Sequence, residues 1–439
     1  MRPLSKVALA TAFALSLGLG SAEAATEIEM FFPVPVEGKL AKEMQNLMER
    51  FNAAHPEIRA KAVYTGTYDE TNLKTHAAIK AGRPPAAVIM SANFVLEYQI
   101  GDEIEALDPL VEADGKTADE FMNRFWPALH GNARFAGKIW AVPFHNSTPL
   151  LYYNTDHFKE VGLDPAKPPK TWAEWADAAK KLTKRDGDKT VRWGLMLPSN
   201  YDYLGWIMTA LDMSNGGQYY NTEYGGEVYY DQPSMRGALT FVDNLVHRDK
   251  VMPEGVTDGK VVSTAFFAGE ASMVSLSTGS LSFIRENMKQ GYAVAFVPAN
   301  IRNGVAIGGA SLMMPKGLTA EQKKASWTLI NWLTSPEISG HWSRFTGYFA
   351  PNKAAYELPE MKKFLSENPD AEVAVDQLAY ARSWFATYST VAVRKALEDE
   401  VQAVLSGKKK PLEALKAAQA KAEEIMSPYV AATAMNLPK

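Results

Sequence analysis

A chain of 439 residues with 46 basic and 50 acidic side chains carries a formal net charge of −4 at pH 7, which argues against nucleic acid as a partner because phosphate-backbone binding needs a basic face. The absence of cysteine excludes a disulfide framework and a lipid-modified cysteine. The length is long for one hydrophobic core and predicts two large lobes.

Arg2 and Lys6 precede an apolar run from Val7 to Leu19, and a small-residue site, Ala22-Glu23-Ala24, follows. This is the pattern of a cleavable secretory signal spanning 1–24, with cleavage after Ala24 or Ala25. The run is below the ~18 residues a membrane anchor needs. Export without a lipid anchor or a later hydrophobic span predicts a Gram-negative periplasm as the compartment.

The mature chain opens with a predicted strand, Thr26 to Phe32, and a helix whose apolar residues Leu40, Met44, Leu47, Met48 and Phe51 share one face. A strand at Ala60 to Tyr64, a helix from Asp69 to Ala81 and an apolar run from Ala86 to Met90 continue a β-α-β-α-β series. That series calls for a mainly parallel sheet flanked by helices. Pro149 to Tyr153 reads as another strand. Thr171 and Glu174 form a capping box at the start of a helix lined by Trp172, Trp175, Ala179 and Leu182. Val191 to Tyr230, rich in Gly, Asn, Tyr and Trp, reads as loops and binding surface. Helices return after Pro233. Tyr292 to Pro298 and Ser311 to Pro315 read as buried strands, and Glu321 to Leu333 as a helix ended by Ser335-Pro336. Two helices close the chain, Val391 to Leu405 and Pro411 to Met426. The Lys408 to Lys410 run between them reads as solvated charge at a helix end.

Chemistry is sparse. The seven histidines are scattered without metal-ligand spacing, so no metal or other cofactor is expected, and His145 reads as structural. Gly255 to Lys260 has the wrong spacing for a phosphate loop. Ser277-Thr-Gly-Ser280 lacks the frame of a hydrolase nucleophile.

Several local signatures occur in order: Asn146-Ser-Thr-Pro-Leu-Leu-Tyr-Tyr-Asn154, Pro-Pro-Lys-Thr-Trp172, Phe267-Ala-Gly-Glu-Ala-Ser-Met273, Gly308-Gly-Ala-Ser311, Asn331-Trp-Leu-Thr-Ser-Pro-Glu337 and Thr346-Gly-Tyr348. Together they resemble the family 1 extracellular solute-binding proteins of ABC importers, and within that family its glycerol-phosphate receptors. The resemblance implies an α/β fold of two lobes, each a mainly parallel sheet flanked by helices, with the ligand in the interlobe cleft and closure by hinge motion. It implies a monomer without catalysis, whose partners are an anionic polyol, an inner-membrane permease and a cytoplasmic ATPase. The expected lobes are 25–143 with 305–347, and 144–304 with 348–439. Hinge crossings are expected near Phe144, within 299–304, and at Tyr348.

The ligand-contacting positions of the resemblance fall on Tyr68, Ser147, Trp172, Ser277, Gly309, Tyr348 and Arg394. Arg394 would pair two phosphate oxygens through its planar guanidinium. The serines offer hydroxyls, and Thr278, Gly279 and Ser280 would open a helix with amides aimed at an anion. Gly309 would bring bare backbone close. The two tyrosines would present hydroxyls and ring faces to a polyol, and Trp172 would either stack on the ligand or close the core. One departure stands out: where glycerol-phosphate receptors carry an acidic residue after the third strand, this chain has Ala92. Ser91 or Asn93 could substitute as a neutral partner, and a phosphodiester such as glycerophosphocholine becomes an alternative to glycerol 3-phosphate. Tyr201, Tyr203, Trp206, Tyr219 and Tyr220 would suit a neutral sugar instead. A secreted carbohydrate-active enzyme is the remaining alternative, although no motif fixes a pair of carboxylates at catalytic distance.

Overall fold

A computed structural model describes residues 25–34, 36 and 39–434; the expected signal lies outside the described residues. In chain order, the elements that frame the cleft begin with β1 (Thr26–Pro33), α1 (Leu40–Ala54), β2 (Ile58–Gly66), α2 (Tyr68–Lys80) and β3 (Ala87–Ser91). Next come β4 (Val142–Ser147), β5 (Pro149–Asn154), α3 (Trp172–Leu182) and α4 (Tyr203–Ser214). They are followed by β6 (Met273–Ser277), α5 (Leu281–Asn287), β7 (Tyr292–Ala295) and β8 (Gly308–Met313). The chain closes with α6 (Ala320–Leu333), α7 (Pro336–Thr346), α8 (Thr390–Leu405) and α9 (Pro411–Thr433).

The first sheet has the order β2-β1-β3-β8-β4 and the second β6-β5-β7. In β1 the buried Ile28, Met30 and Phe32 alternate with the exposed Glu27 and Glu29, the period-2 pattern of a half-buried strand. Every residue of β3, β5 and β6 is buried. The apolar face of α1 is buried as its spacing predicts, and the capping box before α3 is formed, with Thr171 and Glu174 as partners.

Parallel pairing in these two sheets is confined to β1 with β2 and β3. Strand β8 runs antiparallel to both β3 and β4, and the second sheet is antiparallel throughout. The expectation of mainly parallel sheets is corrected on this point, because hydrophobic runs report burial and carry no information on strand direction. The chain leaves the first sheet at Ser147 and enters the second at Pro149, so the switch falls at Thr148 rather than Phe144.

Other differences have local causes. The segment from Val191 to Tyr230, read as loop, contains α4, whose residues from Leu204 to Ser214 are all buried. A helix enclosed on every side has no polar face and so no apolar stripe to detect. Strand β7 is half-buried and ends at Ala295. Ser335-Pro336 ends α6 and also starts α7, with Ser335 capping the Ile338 amide and proline in the first turn. Helix α9 continues past Pro428 to Thr433. Within the lysine run read as solvated charge, Lys409 pairs with Glu400 at 2.7 Å.

Candidate ligand-binding cleft

A cleft of about 800 Å³ brings together residues from both sheets: Tyr64 in β2, Thr67 and Tyr68 just after it, Ser147 ending β4, Ser277 ending β6, and Gly309 in β8. Its remaining walls include Tyr201, Asp202, Tyr203, Trp206, Lys260, Phe283, Tyr348 and Trp384. Five of the seven sequence-predicted positions (Tyr68, Ser147, Ser277, Gly309 and Tyr348) therefore converge, although up to 280 residues separate them in sequence. A capping box formed by Thr67 and Glu70 fixes the start of α2 and so places Tyr68 at the cleft.

The floor is an aromatic cluster. The Tyr68 hydroxyl lies 3.2 Å from His145 Nε2, and the His145 ring stacks on Tyr348 at a centroid distance of 5.0 Å and an interplanar angle of 14°. Burial pushes the His145 pKa down to about 3, so its imidazole is neutral and serves as structure. Burial likewise raises the Tyr68 and Tyr348 hydroxyls, which stay protonated and can donate to a ligand. Two glycines make this packing possible. A Cβ on Gly279 would lie 2.4 Å from the Tyr348 ring, and one on Gly309, at φ +72°, would lie 2.1 Å from the His145 carbonyl oxygen. The bare backbone at Gly309 is thus required by the close pairing of β8 against β4 as well as by access to the cleft.

Ser277 faces the cleft while its Oγ accepts from the Gly279 amide at 3.0 Å. Thr278 to Ser280 form a 3-10 turn leading into the seven-residue α5, and the Thr278 amide donates to the Thr148 carbonyl at 3.0 Å, so two amides of the expected anion nest are already satisfied. Trp206 donates its indole N–H to the Ala306 carbonyl at 3.0 Å and lines the cleft.

Arg394, the expected phosphate partner, is surrounded by carboxylates. Its side chain is 1% exposed and does not line the cleft. Its Nη2 donates to both Asp69 carboxylate oxygens at 2.8 and 2.9 Å. Its Nη1 lies 2.7 Å from Asp202 Oδ1, and its Nε donates to Glu398 Oε2 at 3.2 Å. Three carboxylates occupy the guanidinium edges that two phosphate oxygens would need. Burial pushes the Asp202 carboxyl up to about 6 and that of Glu398 up to about 7, against the lowering effect of Arg394.

The other candidates lie elsewhere. Trp172 stacks on Phe241 at 4.6 Å in a separate groove lined by Lys180 and Arg248; the reading that it closes the core is the one its packing fits. Ala92 and Asn93 are buried in a 3-10 turn after β3 and are not part of the cleft lining, and Ser91 donates to Asn93 Oδ1 at 2.6 Å. Tyr219 and Tyr220 are buried with their hydroxyls on Thr209 and the Ser383 carbonyl, leaving Tyr201, Tyr203 and Trp206 as the members of the expected aromatic subsite that reach the cleft. Asp202 and Trp384 were not singled out by sequence, and Lys260 entered only as the end of the discarded phosphate-loop pattern. Nothing in the local pattern marks them; Asp202 only has a residue type that tolerates its positive φ.

The match to known proteins covers the whole arrangement. The model of the bacterial extracellular solute-binding protein family matches residues 46–373. The chain is 28% identical to the sn-glycerol-3-phosphate-binding periplasmic protein UgpB of Escherichia coli K12, over 99% of this chain and 100% of that one. A structure of UgpB from Mycobacterium tuberculosis in complex with glycerophosphocholine superimposes with a TM-score of 0.81 at 23% identity, over 93% of this chain and 100% of that one. Maltose-bound MalE3 of T. maritima has a TM-score of 0.79 at 23% identity, covering 91% and 100%. No described helix is long and apolar enough to cross a membrane. The ordered signatures, the two-sheet α/β fold and the shared cleft meet in one conclusion: the chain belongs to the bacterial extracellular solute-binding proteins, substrate-binding components of ABC importers.

Proposed function

We propose that this protein captures a glycerophosphodiester, of which glycerophosphocholine is the type, and delivers it from the periplasm to an inner-membrane permease driven by a cytoplasmic ATPase. It acts as a monomer and returns its ligand unchanged. The lobes are 25–147 with 305–347, and 149–304 with 348–439, and they close on the ligand by hinge motion. The observation that carries this reading is the meeting of Tyr68, Ser147, Ser277, Gly309 and Tyr348 in one cleft, in a chain 28% identical along its length to glycerol-3-phosphate receptors. The charge around the cleft favours a singly charged diester over a dianionic monoester. Arg394 is already compensated by three carboxylates, and among the described residues the cleft lining sets two carboxylates, Asp202 and Asp258, against one cation, Lys260. Aromatic rings on several walls supply faces for a polyol and for a quaternary ammonium head.

The same aromatic walls favour a second reading, a neutral sugar receptor using Tyr201, Tyr203 and Trp206. Calorimetric titration of ligand-stripped mature protein with glycerol 3-phosphate, glycerophosphocholine and a panel of neutral sugars separates the two. Micromolar or tighter binding of glycerophosphocholine, with weaker or no binding of glycerol 3-phosphate and none of sugars, is the expected result. Binding of sugars alone would overturn the ligand while leaving the receptor class intact.

A further inference from the structure

Asp202 is a cleft carboxylate that the family resemblance does not assign. It precedes α4 as the N-cap residue yet forms no side-chain cap bond, and its backbone sits at φ 74°, ψ −51°. A residue other than glycine holds such a conformation only when its surroundings over-determine it. The surroundings here do so from α8. Glu398 Oε1 accepts from the Asp202 amide at 3.1 Å and from the Gly205 amide at 3.0 Å, while Arg394 Nη1 sits 2.7 Å from Asp202 Oδ1. The carboxylate is thereby anchored at one oxygen on a buried cation. Its side chain stays 24% exposed, in a cleft lining that also holds Tyr68, Tyr203 and Trp206.

Ala92, where the resemblance leads one to expect an acid, is buried and outside the cleft lining. Asp202 supplies a carboxylate acceptor within that lining. We propose that Asp202 is the specificity-determining carboxylate of this receptor, accepting hydrogen bonds from the free hydroxyls of the ligand, with Arg394 as the positioning residue that aims it. This deepens the proposed function and rests on its reading of a ligand that carries a glycerol moiety. A phosphate placed at this wall would face a carboxylate, so the polyol end of the ligand is oriented here and the phosphate lies toward Ser147, Ser277 and Lys260.

The test compares glycerophosphocholine with propyl phosphocholine, which lacks both glycerol hydroxyls, by calorimetry on wild type, Asp202→Asn, Asp202→Gly and Asp69→Asn. Glycine suits the positive φ, so Asp202→Gly removes the carboxylate while easing the backbone. Asp69→Asn removes a different carboxylate from the same arginine. The expected result is a loss of about tenfold or more in glycerophosphocholine affinity for both Asp202 variants, as for a lost hydrogen bond to a charged acceptor. Affinity for the propyl analogue should be unchanged in them, and discrimination should survive in Asp69→Asn. Equal losses for both ligands, or the same loss in Asp69→Asn, would reduce Asp202 to a structural partner of Arg394. Should wild type bind a sugar and neither phosphocholine, the ligand reading falls by itself. The same variants are then compared on that sugar and its deoxy analogues, and discrimination unchanged by Asp202→Gly overturns the assignment.

Discussion

Arg394 joins Asp69 to Asp202: its Nη2 lies 2.8 Å from Asp69 Oδ2 and its Nη1 2.7 Å from Asp202 Oδ1. Asp69 belongs to the first turn of α2, beside the first sheet, and Asp202 precedes α4. A single guanidinium on α8 therefore spans the two sides of the cleft. Arginine suits this role because its planar fork presents several donors in fixed directions.

The first consequence concerns stability without ligand. Glu398 is fully buried and pairs with Arg394, so Arg394→Met strands it together with Asp202. The ligand-free protein should lose about 3–5 kcal/mol, the usual cost of breaking a buried pair from one side. Chemical denaturation measures it, and adding Glu398→Gln should recover part of the loss. An arginine serving the ligand alone would leave ligand-free stability nearly unchanged.

Buried carboxyls set a pH dependence. Glu97 and Glu398 are pushed up to about 7, and Asp202 and Asp212 to about 6, with burial the largest cause in each. Each binds its proton more tightly folded than unfolded, so its stabilising contribution is full below the unfolded value and is lost as pH rises through the folded one. His145 and His157, lowered by burial to about 3 and about 4, act in the opposite sense but are exhausted above their unfolded value of about 6.5. Between about pH 6.5 and 8 the glutamates are left to act, and the melting temperature should fall. Calorimetry across that range checks the sign, and Glu398→Gln should flatten the slope.

Gly279 supports the Tyr348 ring, and an added Cβ would meet it at 2.4 Å. Gly279→Ala should displace the ring, cost about 1–3 kcal/mol by overpacking, and lower ligand affinity more than a distant mutation of equal stability cost. Titration calorimetry beside a thermal melt separates the two effects.

The two tryptophans should respond in opposite ways. Trp172→Ala removes a ring stacked on Phe241 outside the cleft, so it should cost about 3–5 kcal/mol of stability and leave affinity within about twofold, the spread expected of a remote site. Trp206→Ala removes a cleft wall and should weaken binding about tenfold, as for a lost aromatic contact. Affinity measured on both variants distinguishes them.

What the sequence by itself determined is local or ordered along the chain. Apolar spacing located α1 and β1, the Thr171-Glu174 pair located the start of α3, and the ordered signatures carried the family resemblance, which in turn pointed to five residues that meet in the cleft. These features depend on neighbours a few residues away or on motif order. What only the tertiary structure decided depends on distant partners. Asp69 and Arg394 are 325 residues apart, and their pairing makes the arginine a bridge between carboxylates. Trp172 has the same first-turn environment in sequence whether it faces ligand or Phe241. Helix α4 is enclosed on all sides and carries no amphipathic period. Asp202 acquires its importance from Glu398 and Arg394 almost 200 residues later. A side chain's charge state, exposure and partners are set by the low-dielectric surroundings that folding assembles, and no spacing within the chain encodes those.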